Sequence, residues 1–434
     1  MKKILPFGLI VIACLLALLS NQQEVVNIPE NSIDSGDTAW LLISAALVLL
    51  MTPGLAFFYG GMVRKKNVIS TMLQSFVCLG LITIIWVIFG FSLAFGDDIG
   101  GVIGNPSTFF MMKGMIGNAV WPGMPTVPLA LFAMFQLKFA VITPALITGA
   151  FAERIKFNAY LIFITLFVLL IYSPLAHSTW HPDGILAQMG VLDFAGGTVV
   201  HMSAGWAALA SALYLGKRKE QIHTPARISY VILGTGLLWF GWFGFNAGSA
   251  GSAGILAASA FATTTTASAA AAITWIFFDI IQSKKPSAMG ACIGAVVGLV
   301  AITPAAGFVS IPHSLVIGAV AAVVSNLLVI WRTKKGIDDT LDVFPCHGVG
   351  GMTGMILTSV FASESINSAV TTNGLFFGEV GLFTTHLIAL VAASLFAFFG
   401  SLLLLKITDM ISPLRVSEKD EVAGLDMSQH NEEL

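Results

Sequence analysis

A chain of 434 residues that is 56% hydrophobic and only 10% charged has too few polar side chains to cover a soluble globule. A formal net charge of −2, with Lys and Arg in short scattered clusters, excludes an extended nucleic-acid-binding surface. What remains is an all-α polytopic membrane protein whose solvent is the lipid bilayer.

The first twenty residues, MKKILPFGLIVIACLLALLS, have a basic start and a short apolar run followed by polar NQQE. They read as a secretory signal peptide (1–20) cleaved near Ser20, with an uncleaved signal anchor as the alternative. VIAC mimics a lipoprotein site only weakly, because the apolar run continues past Cys14. Beyond it, apolar windows of about 20 residues, enough to cross a bilayer, begin near Thr38, Ser70, Val127, Asn158, Gly196, Ser229, Ile255, Ser287, Ile311, Cys346 and Val380, which makes eleven. Cys78, Cys292 and Cys346 fall in or at the ends of these windows, so no disulfide framework is implied.

The connecting segments test the count independently, since cytoplasmic loops collect Lys and Arg. Arg64-Lys65-Lys66, Arg154 with Lys156, Lys217-Arg218-Lys219 with Arg227, Lys284-Lys285, Arg332 with Lys334-Lys335, and Arg415 with Lys419 follow spans one, three, five, seven, nine and eleven. The even-to-odd loops hold only Lys113, in the connection 97–125. This pattern predicts a mature N-terminus outside and a C-terminus in the cytoplasm.

Two ionisable residues lie within the windows among small residues: His201 in DFAGGTVVHMSAG and His347 in DVFPCHGVGGMTG. At membrane depth such groups face a protein interior, a partner or a solute path. His201 falls in span five and His347 in span ten, each downstream of an aspartate, Asp193 and Asp342. If spans one to five (37–216) and six to ten (228–363) are related units, the odd span number inverts the second relative to the first. The eleventh span (380–408) and a polar tail (409–434) stand outside that repeat. A lone histidine in an apolar helix is commonly a satisfied core group. Two at corresponding positions suggest a shared imidazole pair, which both donates and accepts hydrogen bonds without adding net charge. Cys346 beside His347 does not make a metal site, because neighbouring helical residues point about 100° apart and no further Cys/His cluster accompanies them.

Aromatic residues form a second constellation. Phe135 and Phe139 in FQLKF are four apart and share a helix face, and Phe245 in GWFGFNAGSAG has Ser249 four residues beyond it. Trp180 is placed in the outer connection after span four. Aromatic faces attract cations and a hydroxyl accepts hydrogen bonds from them, so the group suits a vestibule for a small cation; interface-belt and core aromatics are the plainer alternative. An intramembrane hydrolase built on Ser249 and a histidine is disfavoured, since GSAG is a poor nucleophile context and no carboxylate is placed to orient a base.

The run DFAGGTVVHMSAGWAALASALYLGKR (193–218), with GAFAERI, GWFGFNAGSAG and FPCHGVGG, resembles the signature blocks of the ammonium transporter (Amt/Mep/Rh) family, in its bacterial Amt-type form, from about Asp37 to the tail. The resemblance implies a non-enzymatic ammonium channel of the inner membrane, an eleven-span homotrimer with one pore per subunit between two inverted five-span halves. It implies no cofactor. By position Trp180, Phe135 and Ser249 match the family's outer ammonium-recruitment site, Phe139 and Phe245 its phenyl gate, and His201 and His347 its twin pore histidines. Asp193 matches the buried aspartate that supports the outer site, and is equally a good helix N-cap. Lys138 departs from the pattern and is expected to face a neighbouring span or the subunit interface, where it snorkels or pairs.

Asp279 is expected to pair with Lys284 or Lys285, and Asp338-Asp339 to be solvated loop charges. The tail LRVSEKDEVAGLDMSQHNEEL resembles the family's regulatory tail, which implies docking of a PII-type signalling protein at the cytoplasmic face, whereas composition alone predicts a disordered terminus. An ammonium sensor with secondary conduction is the alternative function; it would be expected to carry a fused signalling domain, and the chain ends soon after span eleven.

Overall fold

The computed structural model describes residues 5–19, 25–28, 33–220 and 224–434. Ser20, the expected cleavage point, and residues 1–4 of the expected leader lie outside the described residues, while Leu5–Leu19 is one helix.

Among the described residues, nine helical segments are long and apolar enough to cross a membrane: Ser35–Met62, Lys65–Phe95, Leu129–Phe151, Phe157–Gln188, Gly197–Leu215, Ile228–Gly248, Ile255–Ile281, Ile311–Lys335 and Gly381–Ile411. Two further apolar segments, Ala288–Ile302 and 344–361, stand where the eighth and tenth windows were expected. Polar caps start several of these helices: Asp34 accepts from the Asp37 amide at 2.8 Å and Ser287 from Gly290 at 2.9 Å. Leu42, Phe76, Phe240, Phe277 and Phe399 point outward, the apolar exterior that a bilayer requires.

Close backbone contact fixes the arrangement. The Ser35–Met62 and Ile228–Gly248 helices, the first spans of the two expected halves, approach so tightly that a Cβ on Gly234 would stand 2.3 Å from the Phe58 nitrogen. The segments carrying the two histidines meet in the same way, with a Cβ on Gly205 falling 2.1 Å from the Gly348 nitrogen. After the Lys65–Phe95 segment a short hairpin pairs β1 (Asp98–Ile99) antiparallel to β2 (Ile103–Gly104).

At the basic ends of the helices charges are collected and paired. Glu153, fully buried at a positive φ of 70°, accepts from Arg64 Nε at 2.8 Å and Arg218 Nη1 at 2.9 Å. Arg64 also bonds Glu220. Arg154 donates to the Asp338 carbonyl and to Thr340. Asp279 meets Lys284 at 3.2 Å, as expected.

Four expectations are corrected. Asp338 and Asp339 are not solvated: Asp338 accepts from the Arg218 amide at 2.7 Å, and Asp339 is completely buried. Asp342, expected as the counterpart of Asp193, instead pairs with Arg332, and Asp339 takes the capping role by accepting from the Phe344 amide at 2.7 Å. Trp180 lies on the last turn of the helix Ser173–Trp180 rather than in the connection after it. The tail is packed against the start of the Val68–Ile85 helix: Asp426 accepts from the Ser70 and Ile69 amides at 2.7 and 3.1 Å and so caps it, while the Leu425 amide donates to Asn67 at 2.8 Å.

Candidate functional site

Both segments that carry a histidine begin with a π-helical turn, Gly197–Met202 and Phe344–Val349. Such turns interrupt the regular ladder and are frequent at functional positions. Each is anchored by a buried aspartate eight residues before its histidine. Asp193 accepts from the amides of Gly196, Gly197 and Thr198 at 2.6 to 2.8 Å, and from Val199 at 3.4 Å. Asp339 holds Phe344. These carboxylates satisfy orphan amides that would otherwise be buried in an apolar medium.

The anchors bring the two imidazoles together. His201 and His347 face each other with Nδ1 to Nδ1 at 3.3 Å and ring centroids 5.4 Å apart. A contact between two like nitrogens needs one ring to donate and the other to accept. Nε2 of His201 is buried and has no hydrogen-bond partner among the described residues. That leaves one nitrogen available to a solute.

Above the pair stands an aromatic column. Phe245 lies 6.0 Å from the His201 ring, and Phe139 lies over Phe245 at 4.2 Å with the planes inclined by 31°. Trp180 meets Phe139 edge-on at 6.0 Å and Phe135 meets it at 4.9 Å. Trp180 is set by its indole N–H, which donates to the Asp193 carbonyl at 3.0 Å, so one residue supports both the π turn and the outer aromatic. Ser249 donates to the Phe245 carbonyl at 2.8 Å, which leaves its oxygen free to accept, and no imidazole holds its proton. A Cβ on Gly248 would touch the Phe135 ring at 3.1 Å, which places Phe135 beside the Ser249 segment.

The eight residues singled out in the sequence therefore form one connected set of contacts. A cavity beside the imidazoles is lined by Met51, Leu55, Phe58, Ile142, Leu146, Leu238, Trp242, Phe245 and Val296, and a second, which shares His347, by Tyr59, Met62, Leu341 and Cys346. Lys138 lines neither; it is half-buried between the buried Leu137 and Phe139, and no ion pair to it is found among the described residues. Sequence reasoning missed Trp242, which stacks on His201 at 5.3 Å and is fixed by its N–H to Thr303 at 2.9 Å. Its position three residues before Phe245, on one helix face, was the available signal.

The interior of this helical membrane protein brings together stacked aromatic rings, a buried imidazole pair and apolar cavities, which sets hydrogen-bonding nitrogens in an otherwise apolar surround. Comparison with known proteins gives the particular class. The model of the Ammonium Transporter Family matches residues 39–434. A putative ammonium transporter of Methanothermobacter thermautotrophicus is 47% identical, covering 92% of this chain and 98% of the relative, and an ammonium transporter of Bacillus subtilis is 46% identical with the same coverage. The crystal structure of Saccharomyces cerevisiae Mep2 superposes with a TM-score of 0.84 at 33% identity, covering 90% of this chain and 89% of that one. The chain belongs to the ammonium transporter family, and its function is ammonium transport.

Proposed function

We propose that ammonium is gathered at an outer site formed by Trp180, Phe135 and Ser249 and crosses as ammonia through the lane past Phe139, Phe245, His201 and His347, the proton it gives up passing along the imidazole pair. Asp193 supports the outer site from below. The observation that carries this reading is the continuous column from Trp180 to the 3.3 Å imidazole pair. Ammonium, like a lysine headgroup, is almost wholly protonated at neutral pH, and carrying it intact through an apolar tube incurs a large desolvation cost. Aromatic faces and a free hydroxyl oxygen offset part of that cost at the mouth. Beyond the rings, imidazole nitrogens bond ammonia or relay its proton. Potassium has no hydrogen to offer them, so selectivity rests on hydrogen bonding and deprotonation, with size playing little part.

In this reading the protein has eleven spans, two inverted five-span halves (37–216 and 228–363) plus the last helix, and lies in the inner membrane with its N-terminus outside. It assembles as a homotrimer with a pore in each subunit, carries out no enzymatic reaction, and presents its ordered tail to a PII-type signalling protein. The test uses the protein in liposomes, with ammonium-evoked current and internal pH recorded together. His201→Ala and His347→Ala should lower flux or admit potassium. Unchanged transport and selectivity in both would refute the assignment.

A further inference from the structure

One buried histidine on the outer side plays no part in the lane. His177 lies on the helix Ser173–Trp180, three residues before Trp180, with a side chain wholly shielded from solvent. Its Nδ1 is 3.0 Å from the Ala94 carbonyl and its Nε2 2.9 Å from Asp98 Oδ1. A carbonyl oxygen only accepts. Asp98 Oδ1 already accepts from the Gly101 amide at 2.7 Å, and the carboxylate is partly open to solvent. Each ring nitrogen thus faces an oxygen, and the ring bridges Ala94, ahead of the hairpin, to Asp98 at its start. The hydrogen bond from His177 holds the Asp98 carboxyl below the usual carboxylate range, in keeping with that pairing.

The pair is tied into the end of the Trp180 helix. The His177 carbonyl accepts the His181 amide at 3.0 Å, and Gly101, which bonds Asp98, also accepts the Ile185 amide at 2.8 Å. The hairpin is thereby clipped on both sides of Trp180. His181 lies flat on His177, with centroids 4.3 Å apart and planes 16° from parallel. Its Nδ1 accepts the Asp183 amide at 3.1 Å, which ties His181 to the chain beyond Trp180. The charged and titratable groups around His177 are Asp97 and Asp98 from the hairpin side and His181 and Asp183 from beyond Trp180.

We propose that His177, held between Ala94 and Asp98, is a positioning residue for ammonium capture: it fixes the helix end that presents Trp180. The inference rests on the recruitment role given to Trp180. Loss of the ring would leave the Ala94 carbonyl and Asp98 unbridged and release the clip, so capture should weaken.

The experiment measures ammonium-evoked current in proteoliposomes against ammonium concentration at one fixed pH. His177→Ala should raise the half-saturating concentration about tenfold, the effect of losing one hydrogen bond to a charged group, while the maximal current changes little. Asp98→Ala, which removes the same bridge from the hairpin side, should raise it similarly and keeps the test open if His177→Ala fails to fold, and Asp98→Asn, whose amide oxygen still accepts from the ring, should lie between. A His177→Ala or Asp98→Ala protein with the wild-type half-saturation overturns the inference. Trp180→Ala serves to separate the two levels: if it leaves half-saturation unchanged the recruitment reading itself fails, whereas a rise there with no effect at His177 sinks only the clip.

Discussion

Replacing Gly205 by alanine tests whether backbone contact between the two halves sets the spacing of the imidazoles. The added Cβ would lie 2.1 Å from the Gly348 nitrogen and 2.2 Å from its Cα, where ordinary contact begins at 3.4 Å. Neither partner is the end of a flexible side chain, so the two segments must part by about 1 Å in an interior packed to crystal-like density. Gly205 follows His201 by one helical turn and Gly348 directly follows His347, so the displacement is passed to a pair that stands only 3.3 Å apart. An opening of about 1 Å takes that contact beyond hydrogen-bonding range. Overpacking of this kind costs about 1–3 kcal/mol of stability, and a misplacement of about 1 Å in a working constellation costs on the order of a hundredfold in rate. The assay pairs ammonium-evoked current in proteoliposomes with thermal unfolding in detergent. Gly236→Ala is the control, since a Cβ there meets nothing within 4 Å, and it should alter neither measurement. A Gly205→Ala protein with wild-type current would refute the reasoning, because the glycine contact would then not govern the imidazole pair.

Substitutions at three further positions probe the supports. Asp193→Ala removes the acceptor of four backbone amides and should lower stability by about 2 kcal/mol, the upper range for a lost cap, with Asp193→Asn intermediate in the same thermal assay. Burial by itself raises the Glu153 carboxyl, but Arg218 and Arg64 outweigh it and hold the group below its ordinary range. Its folded value therefore lies beneath the unfolded one. The stability it supplies is complete above the unfolded value of about 4.3 and is lost as pH falls through the folded value. Glu153→Gln should cost about 3–5 kcal/mol at neutral pH, as expected for breaking a buried ion pair, with the deficit shrinking at acid pH; a deficit independent of pH would contradict the assignment. Asp426→Ala removes the cap on Val68–Ile85 and should expose the tail to limited proteolysis in the intact protein, where wild-type tail cleavage is slow.

How far the chain could be read from its letters depended on the range of the interaction involved. Hydropathy windows and basic loops report on the local medium, so the nine long apolar helices among the described residues, and the short Ala288–Ile302 segment, fall at expected windows. His201, His347 and the aromatic residues were legible because an ionisable or stacked group in an apolar run contradicts its surroundings. Burial by distant partners was not legible. Asp338, Asp339 and the tail look like solvated charge in sequence, and only the approach of Arg218, Phe344 and Ser70 makes them buried acceptors.

The exchange of Asp342 for Asp339 is the instructive case. Proximity to the histidine favoured Asp342, yet the shared interval of eight residues, Asp193 to His201 and Asp339 to His347, was in the sequence throughout. That interval has a physical basis: a carboxylate capping a π-helical turn must lie just before the turn, and the turn must end close to the ring it presents. Asp342 fails that geometry, since it stands only two residues before the turn and at a positive φ of 57°, and its charge is taken up by Arg332. The two histidine segments are therefore alike in how each holds a buried imidazole, through a cap, an irregular turn and a glycine that lets the opposite backbone approach. Similarity elsewhere along the halves can fade, because lipid-facing positions need only remain apolar.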